Sequence, residues 1–250
     1  MTLNEITHSV IQDFAEERWA EVQPSTAQRD ISTLRAILNK SYREGKLAAV
    51  PPFPRRRKEN ARCRWLTRNE EQRLLDAAAP HLKPLIAFAV DTGARRGELF
   101  KLDWRTVNLE RGFVTFLKTK NGEDRSVRLT ERAKLILQEI GPKSEGPVFT
   151  YKGKPMTDIK HSFDRARLKA GIEDLRFHDL RHTFASRLVQ QGISLYEVMH
   201  LTGHKTVSMV QRYAHLAPDF QEKAIDALNT FGTNWSHSAE GRMDESRVSA

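Results

Sequence analysis

A chain of 250 residues with a formal charge of +9 and a pI near 9.8 has room for one large core or two unequal domains, and it favours a polyanionic partner. Its one cysteine, Cys63, excludes an internal disulfide framework and points to a reducing compartment. No apolar run reaches the length of a bilayer span or of a signal peptide's apolar segment.

In chain order, residues 8–20 and 25–47 predict two helices, the second opened by a capping box of Ser25 and Gln28. Ile31, Leu34, Leu38 and Tyr42 recur at helical spacing and mark its apolar face, while Arg29, Arg35, Lys40 and Arg43 line the other. PPFP at 51–54 then interrupts regular structure, and RRRKENARCRWLTR at 55–68 carries seven basic side chains against one acidic. That connector reads either as a solvated linker or as a set of phosphate contacts, Arg55, Arg56, Arg57 and Lys58 foremost.

Thr67 and Glu70 frame the start of another helix running to Pro80, and a helix over about 83–91 ends in Gly93. The next opens near Arg95 and runs to Leu102. The period then changes to two, and Asn121-Gly122 joins extended runs at 113–119 and 125–129 into a hairpin. Helices near 131–140, 158–169 and 177–190 follow, with a short VFTYKGKP hairpin between the first two. Two shorter helices, 195–201 and 207–212, precede a final amphipathic one over 219–228, and residues 229–250 read as a loose tail. The fold class is mainly alpha with a small antiparallel sheet.

Four stretches carry polar groups that packing alone does not explain. In TGARRGEL, 92–99, Arg95 stands at a helix start, where the helix dipole disfavours a cation unless an anion is near, and Glu98 is placed to orient its guanidinium. Lys120 sits at the hairpin tip, either solvated or able to bring a flexible ammonium into a groove. In RFHDLRHTFASRL, 176–188, Leu180, Phe184 and Leu188 mark an inward stripe, and His178 and Arg181 share another face suited to a phosphate. His178 and His182 have zinc-pair spacing, but no adjacent glutamate or third ligand accompanies them, so His182 reads as a partly buried helix residue. In LTGHKTVSMVQRYAHL, 201–216, Gly203 turns the chain before His204, and Tyr213 follows nine residues later. Thr206 or Ser208 caps the helix between them. A phenol has a reference pKa of about 10, so Tyr213 needs cations and a base to act as a nucleophile. No pair of acidic residues suggests a metal site that would supply them.

These four stretches, in this order, resemble the motif blocks of the tyrosine recombinases, the phage-integrase family. The resemblance covers residues 65–228 throughout and extends weakly into 8–54. It implies a shortened helical core-binding domain at 1–54, a basic linker at 55–65, a catalytic domain at 66–228 and a flexible tail at 229–250. It implies that Arg95 and Arg181 clamp a phosphate, with Glu98 in support, and that Lys120 protonates the departing deoxyribose oxygen. By the same resemblance His178 takes part in proton transfer from the tyrosine, His204 bonds the non-bridging oxygens, and Tyr213 is the nucleophile. The implied partner is double-stranded DNA, held by a homotetramer on paired sites, with no metal, nucleotide or other cofactor. The implied setting is the cytoplasm of a bacterium, with the gene bacterial or phage-borne. Arg96 beside Arg95 leaves a choice of register, which the resemblance settles on Arg95. Met209 departs from the family, which often has a small hydroxylated residue there. The thin first domain leaves two functions to separate: strand cleavage and rejoining, or a truncated relative that binds DNA but recombines poorly. A basic RNA-binding or scaffold protein would leave all six placed polar residues unexplained.

Overall fold

The computed structural model describes residues 2–55, 63–117, 124–218, 225–226 and 228–229. Two compact units divide the chain, Met1–Arg62 and Cys63–Ala250. Among the described residues no helix is long and apolar enough to cross a membrane.

The first unit is a pair of helices, α1 (His8–Glu21) and α2 (Pro24–Arg43). Thr7 caps α1 by accepting the Val10 N–H. The expected box at Ser25 and Gln28 is not where α2 begins: Gln23 is the N-cap and Pro24 the first helical residue. Proline is preset for that place, because its fixed φ is helical and the N–H it lacks would have had no partner there. The inward stripe of α2 is Ala27, Ile31, Leu38 and the small Ser41, with Leu34 half-buried. Tyr42, expected to face inward, is 52% exposed. Position 41 continues the three- and four-residue spacing from 38, and its neighbour is turned away by about 100°. The helix stops at Arg43, short of the expected 47, and Gly45 follows in the left-handed region at φ 71°. Ile11, Leu38 and Leu47 form the small core, with Leu34, Val50 and Phe53 against it.

The second unit is helical around a small three-stranded sheet. Its first helix, α3 (Arg68–Ala77), starts as the sequence predicts: Thr67 donates its N–H to Glu70 Oε2 at 2.9 Å and its hydroxyl accepts the Glu70 N–H at 3.2 Å. Next comes α4 (Lys83–Thr92), whose run Leu85–Val90 is buried all round. Short α5 (Arg96–Phe100) leads to β1 (Val107–Asn108), β2 (Phe113–Phe116) and β3 (Arg125–Arg128), antiparallel in that order. Val114 pairs with Val127, and both point into the core. Strand β1 was not foreseen, and the Asn121-Gly122 turn with Lys120 lies outside the described residues. After α6 (Glu131–Ile140), the hairpin β4 (Thr150–Tyr151) and β5 (Lys154–Pro155) precedes α7 (Lys160–Lys169). The chain continues through α8 (Asp179–Gln190), α9 (Leu195–Thr202), α10 (Val207–Val210) and a 3-10 run, Gln211–Leu216. Of the expected helix at 219–228, Ile225, Asp226 and Leu228 are described and helical, and the rest lies outside.

The α8 helix departs from its expected single apolar stripe. Leu180 is buried, but Phe184 and Leu188 are only half-buried, while Arg181, His182, Thr183 and Ser186 are buried. The helix packs on α4, on α9 and on the 3-10 run, so protein covers several of its sides. A helix enclosed in that way cannot keep a polar face in water.

Candidate active site

The site begins where α4 ends. Gly93 caps it at φ 61°, and a Cβ there would stand 2.4 Å from Phe184 Cδ1, so both the backbone and the space require glycine. The turn delivers Arg95 to the N-cap of α5. Its backbone N–H donates to Glu98 Oε2 at 2.9 Å, Nη1 donates to Glu98 Oε1 at 2.7 Å, and Nη2 donates to the Gly203 carbonyl at 2.9 Å. The cation at the helix start thus carries its own carboxylate. Burial works against ionisation of Glu98, but the charge of Arg125 and the bonds from Arg95 outweigh it and hold the group below the usual carboxylate range.

Arg181 enters from α8 and is 2% exposed. Nη1 donates to the Gly93 carbonyl at 2.7 Å, Nη2 donates to the Thr202 carbonyl, and the same Nη2 lies 3.4 Å from His204 Nε2. Nε is buried without a partner. Among the described residues no carboxylate pairs with this guanidinium, although Arg64, Arg95, Arg125 and Arg132 all have one. Burial first, then the charges of Arg95 and Arg125, lower its pKa to about 9. It remains a cation at neutral pH.

His204 is set by the end of α9. Ser194 and Glu197 open that helix with a reciprocal box, and Gly203 closes it at φ 64°. Thr202 Oγ1 lies 2.5 Å from the Val198 carbonyl and 2.7 Å from His204 Nδ1. The hydroxyl hydrogen goes to the carbonyl, so Nδ1–H donates to Thr202 and the Nε2 lone pair faces Arg181. Burial, then Arg181 and Arg95, depress the imidazole to about 3, which leaves it neutral. Neither Thr206 nor Ser208 caps α10; their hydroxyls bond each other at 2.8 Å.

Tyr213 lies in the 3-10 run and is 0% exposed, packed in a small cluster with Ala185, Val189, Val198 and Val210, with Cys63 at its edge. Its hydroxyl is 2.5 Å from His182 Nδ1. Burial pushes the phenol up to about 12, so it stays protonated and donates to that nitrogen. His178 is exposed at the start of α8, its ring edge-on to His182 with centroids 5.0 Å apart. Although much of the residue meets solvent, partial desolvation of the ring by neighbouring groups, then the charge of Arg181, lower its pKa. The imidazole that touches the phenol is therefore His182, not His178. The four-residue interval between them was legible as a shared helix face, but it was weighed only as a metal pair. Among the described residues no group of three His, Cys, Asp or Glu side chains is placed to hold a metal ion.

Arg125 was also missed. It is 7% exposed and pairs with Glu98 Oε2 at 2.6 Å. The alternation of β3 contains the signal, since Arg125 stands two residues before the inward Val127. The structure thus assembles Arg95, Glu98, Arg181 and His204 and sets Tyr213 on His182; Lys120 lies outside the described residues. In the first unit Arg29, Arg35 and Arg55 are exposed, Arg35 lying 4.7 Å over the Phe53 ring, and Arg56, Arg57 and Lys58 lie outside the described residues.

Residues 64–219 match the model of the phage integrase family. The integrase of Salmonella phage P22 is 33% identical over 235 residues, covering 86% of this chain and 61% of its own length. The shufflon-specific DNA recombinase of Escherichia coli is 31% identical over 229 residues, covering 86% and 59%. The solved catalytic domain of bacteriophage HP1 integrase matches with a TM-score of 0.55 at 30% identity, over 67% of this chain and 96% of that one. The chain spans about three-fifths of the length of such curated relatives. With a family match over most of the chain and helices around a small antiparallel sheet, this protein belongs to the phage integrase family of tyrosine recombinases.

Proposed function

We propose that the chain cuts and rejoins double-stranded DNA at defined sites through a 3′-phosphotyrosyl bond to Tyr213, in integration or excision of a mobile element. The observation that carries this reading is Arg181, a buried guanidinium that no carboxylate balances among the described residues. A buried cation held by carbonyls is costly unless an anion completes it. Arg95 and His204 stand beside it. A backbone phosphodiester supplies the missing charge, and two guanidiniums offer the forked donors that its non-bridging oxygens accept.

In this reading Tyr213 turns from His182, gives its phenolic proton to the imidazole of His178 and attacks phosphorus in line. The bond from phosphorus to O5′ breaks as that to the phenolic oxygen forms, and Lys120 gives O5′ its proton. Arg95 and Arg181 hold the growing oxyanion charge, each donor to it worth about 10²–10³ in rate. The phosphotyrosyl ester retains the energy of the broken bond, so a 5′-hydroxyl from another strand rejoins the backbone without nucleotide hydrolysis. Four protomers on paired sites, cutting two at a time, complete exchange. Exposed Arg29, Arg35 and Arg55, with Arg56, Arg57 and Lys58, add backbone contacts that weaken as salt rises.

Nicked suicide duplexes built from the repeats flanking the gene test this reading. A protein–oligonucleotide adduct that survives denaturation, and disappears in Tyr213→Phe, is the expected result. A gel shift without an adduct would leave only a DNA-binding protein.

A further inference from the structure

Arg125 and Arg181 bridge the same two turns. Arg181 donates to the carbonyls of Gly93 and Thr202. Arg125 Nη1 donates to the preceding carbonyl of each turn, Leu201 at 2.5 Å and, at the outer limit of hydrogen bonding, Thr92 at 3.5 Å. Its Nη2 donates to Glu98 Oε2 at 2.6 Å, while the other oxygen of that carboxylate holds Arg95. One side chain from β3 therefore reaches the turn that presents Arg95, the carboxylate that orients it and the helix end that presents His204. The fit is close. The Arg125 guanidinium lies 4.6 Å over the Phe116 ring, and a Cβ on Gly203 would stand 2.8 Å from Arg125 Cδ.

A merely structural role accounts poorly for this side chain. A buried ion pair adds little stability over an apolar replacement of the same volume. Here the buried cation also lies near two others, Arg95 and Arg181, and each makes the next harder to keep charged. What the arrangement does supply is geometry, because a planar fork with several donors fixes several acceptors at once. We propose that Arg125 is a positioning residue of the phosphate site, acting through Glu98 on Arg95 and through the Leu201 carbonyl on the turn that carries His204. The inference rests on the proposed strand-cleavage reading of that site.

The test is single-turnover adduct formation on the nicked duplex by the full chain, with DNA affinity measured by gel shift. Arg125→Gln is expected to bind DNA within about threefold of the wild type and to form adduct about a hundredfold more slowly. Its pH–rate profile should also gain an acid limb at higher pH. Glu98 faces Arg95, Arg125 and Arg181, and loss of the Arg125 charge leaves its burial less opposed. Arg125→Lys keeps the charge but not the fork; it should recover about tenfold of the loss and move the limb back. A folded Arg125→Gln with the wild-type rate and profile overturns the proposal, and so does a Lys variant no better than Gln. If Arg125→Gln does not fold, Arg125→Lys decides alone: a rate about tenfold below wild type supports the role, and a wild-type rate overturns it. Should the wild type itself form no adduct, the strand-cleavage reading fails. Arg125 is then judged by inorganic sulfate, whose stabilisation of the wild type in thermal melts should vanish in Arg125→Gln; an equal shift in both overturns the inference.

Discussion

The cationic cradle and the tyrosine are built in opposite ways. Arg95, Arg125 and Arg181 each make two or more bonds, and most reach far along the chain: Arg95 to Gly203 spans 108 residues, Arg181 to Gly93 spans 88 and Arg125 to Leu201 spans 76. Among the described residues the Tyr213 hydroxyl bonds His182 alone, from a six-residue 3-10 run. The fold itself therefore holds these guanidiniums in place, the condition that the proposed charge stabilisation needs. Tyr213 itself is buried, protonated and bonded to an imidazole.

Four perturbations break or sharpen this contrast. The largest effect is expected from Arg181→Met, which should slow adduct formation by about 10³ or more. Sulfate should raise the melting temperature of the wild type and not that of this variant, because a ligand stabilises only the state that binds it. An undiminished sulfate shift would remove Arg181 from the anion site. Next is Gly93→Ala. A left-handed non-glycine residue costs about 1–2 kcal/mol and overpacking against Phe184 about 1–3 kcal/mol more. Urea unfolding should therefore show a loss of roughly 3 kcal/mol, and a loss below 1 would mean the turn tolerates a methyl group.

On the tyrosine side, His182→Leu leaves a buried phenolic hydroxyl without its acceptor and should cost about 1–3 kcal/mol. The Tyr213→Phe change in that background should recover part of the loss, so the double variant is less destabilised than the two single effects summed. Strict additivity would mean the His182–Tyr213 bond contributes nothing.

The fourth perturbation concerns pH. In the unfolded chain His204 takes up a proton near its ordinary pKa of about 6.5, whereas in the fold it does so near 3. Between those values the unfolded state binds more protons, so the contribution of neutral His204 is complete above the upper value and lost as pH falls toward the lower. In urea titrations the stability difference between wild type and His204→Gln, which has no ionisable ring, should shrink in favour of the variant from pH 7 to pH 4. A constant difference would contradict the depressed pKa.

Local grammar made much of the fold legible. The Thr67–Glu70 box starts its helix where the sequence predicts, α9 opens at the expected 195, α6 spans the expected 131–140, and Gly93 and Gly203 both end helices in the left-handed region. Such signals act within one turn of chain, so a sequence carries them whole. Reading failed where a residue's neighbours come from elsewhere. The spacing points Tyr42 inward although Ser41 holds the buried position, and it points Arg181 away from the apolar stripe although other elements cover it.

The candidate site divides along the same line. Arg95, Glu98, Arg181, His204 and Tyr213 were picked out because charged or reactive side chains cluster in short motifs that packing does not explain. Motif spacing says nothing about which partner each one meets. That Arg181 has carbonyls and, among the described residues, no carboxylate, that Arg125 serves the same two turns, and that Tyr213 rests on His182 were decided by tertiary packing. These contacts close loops of 21 to 88 residues, and the hydrogen-bond partner of a buried polar group is whichever one the completed core brings within reach.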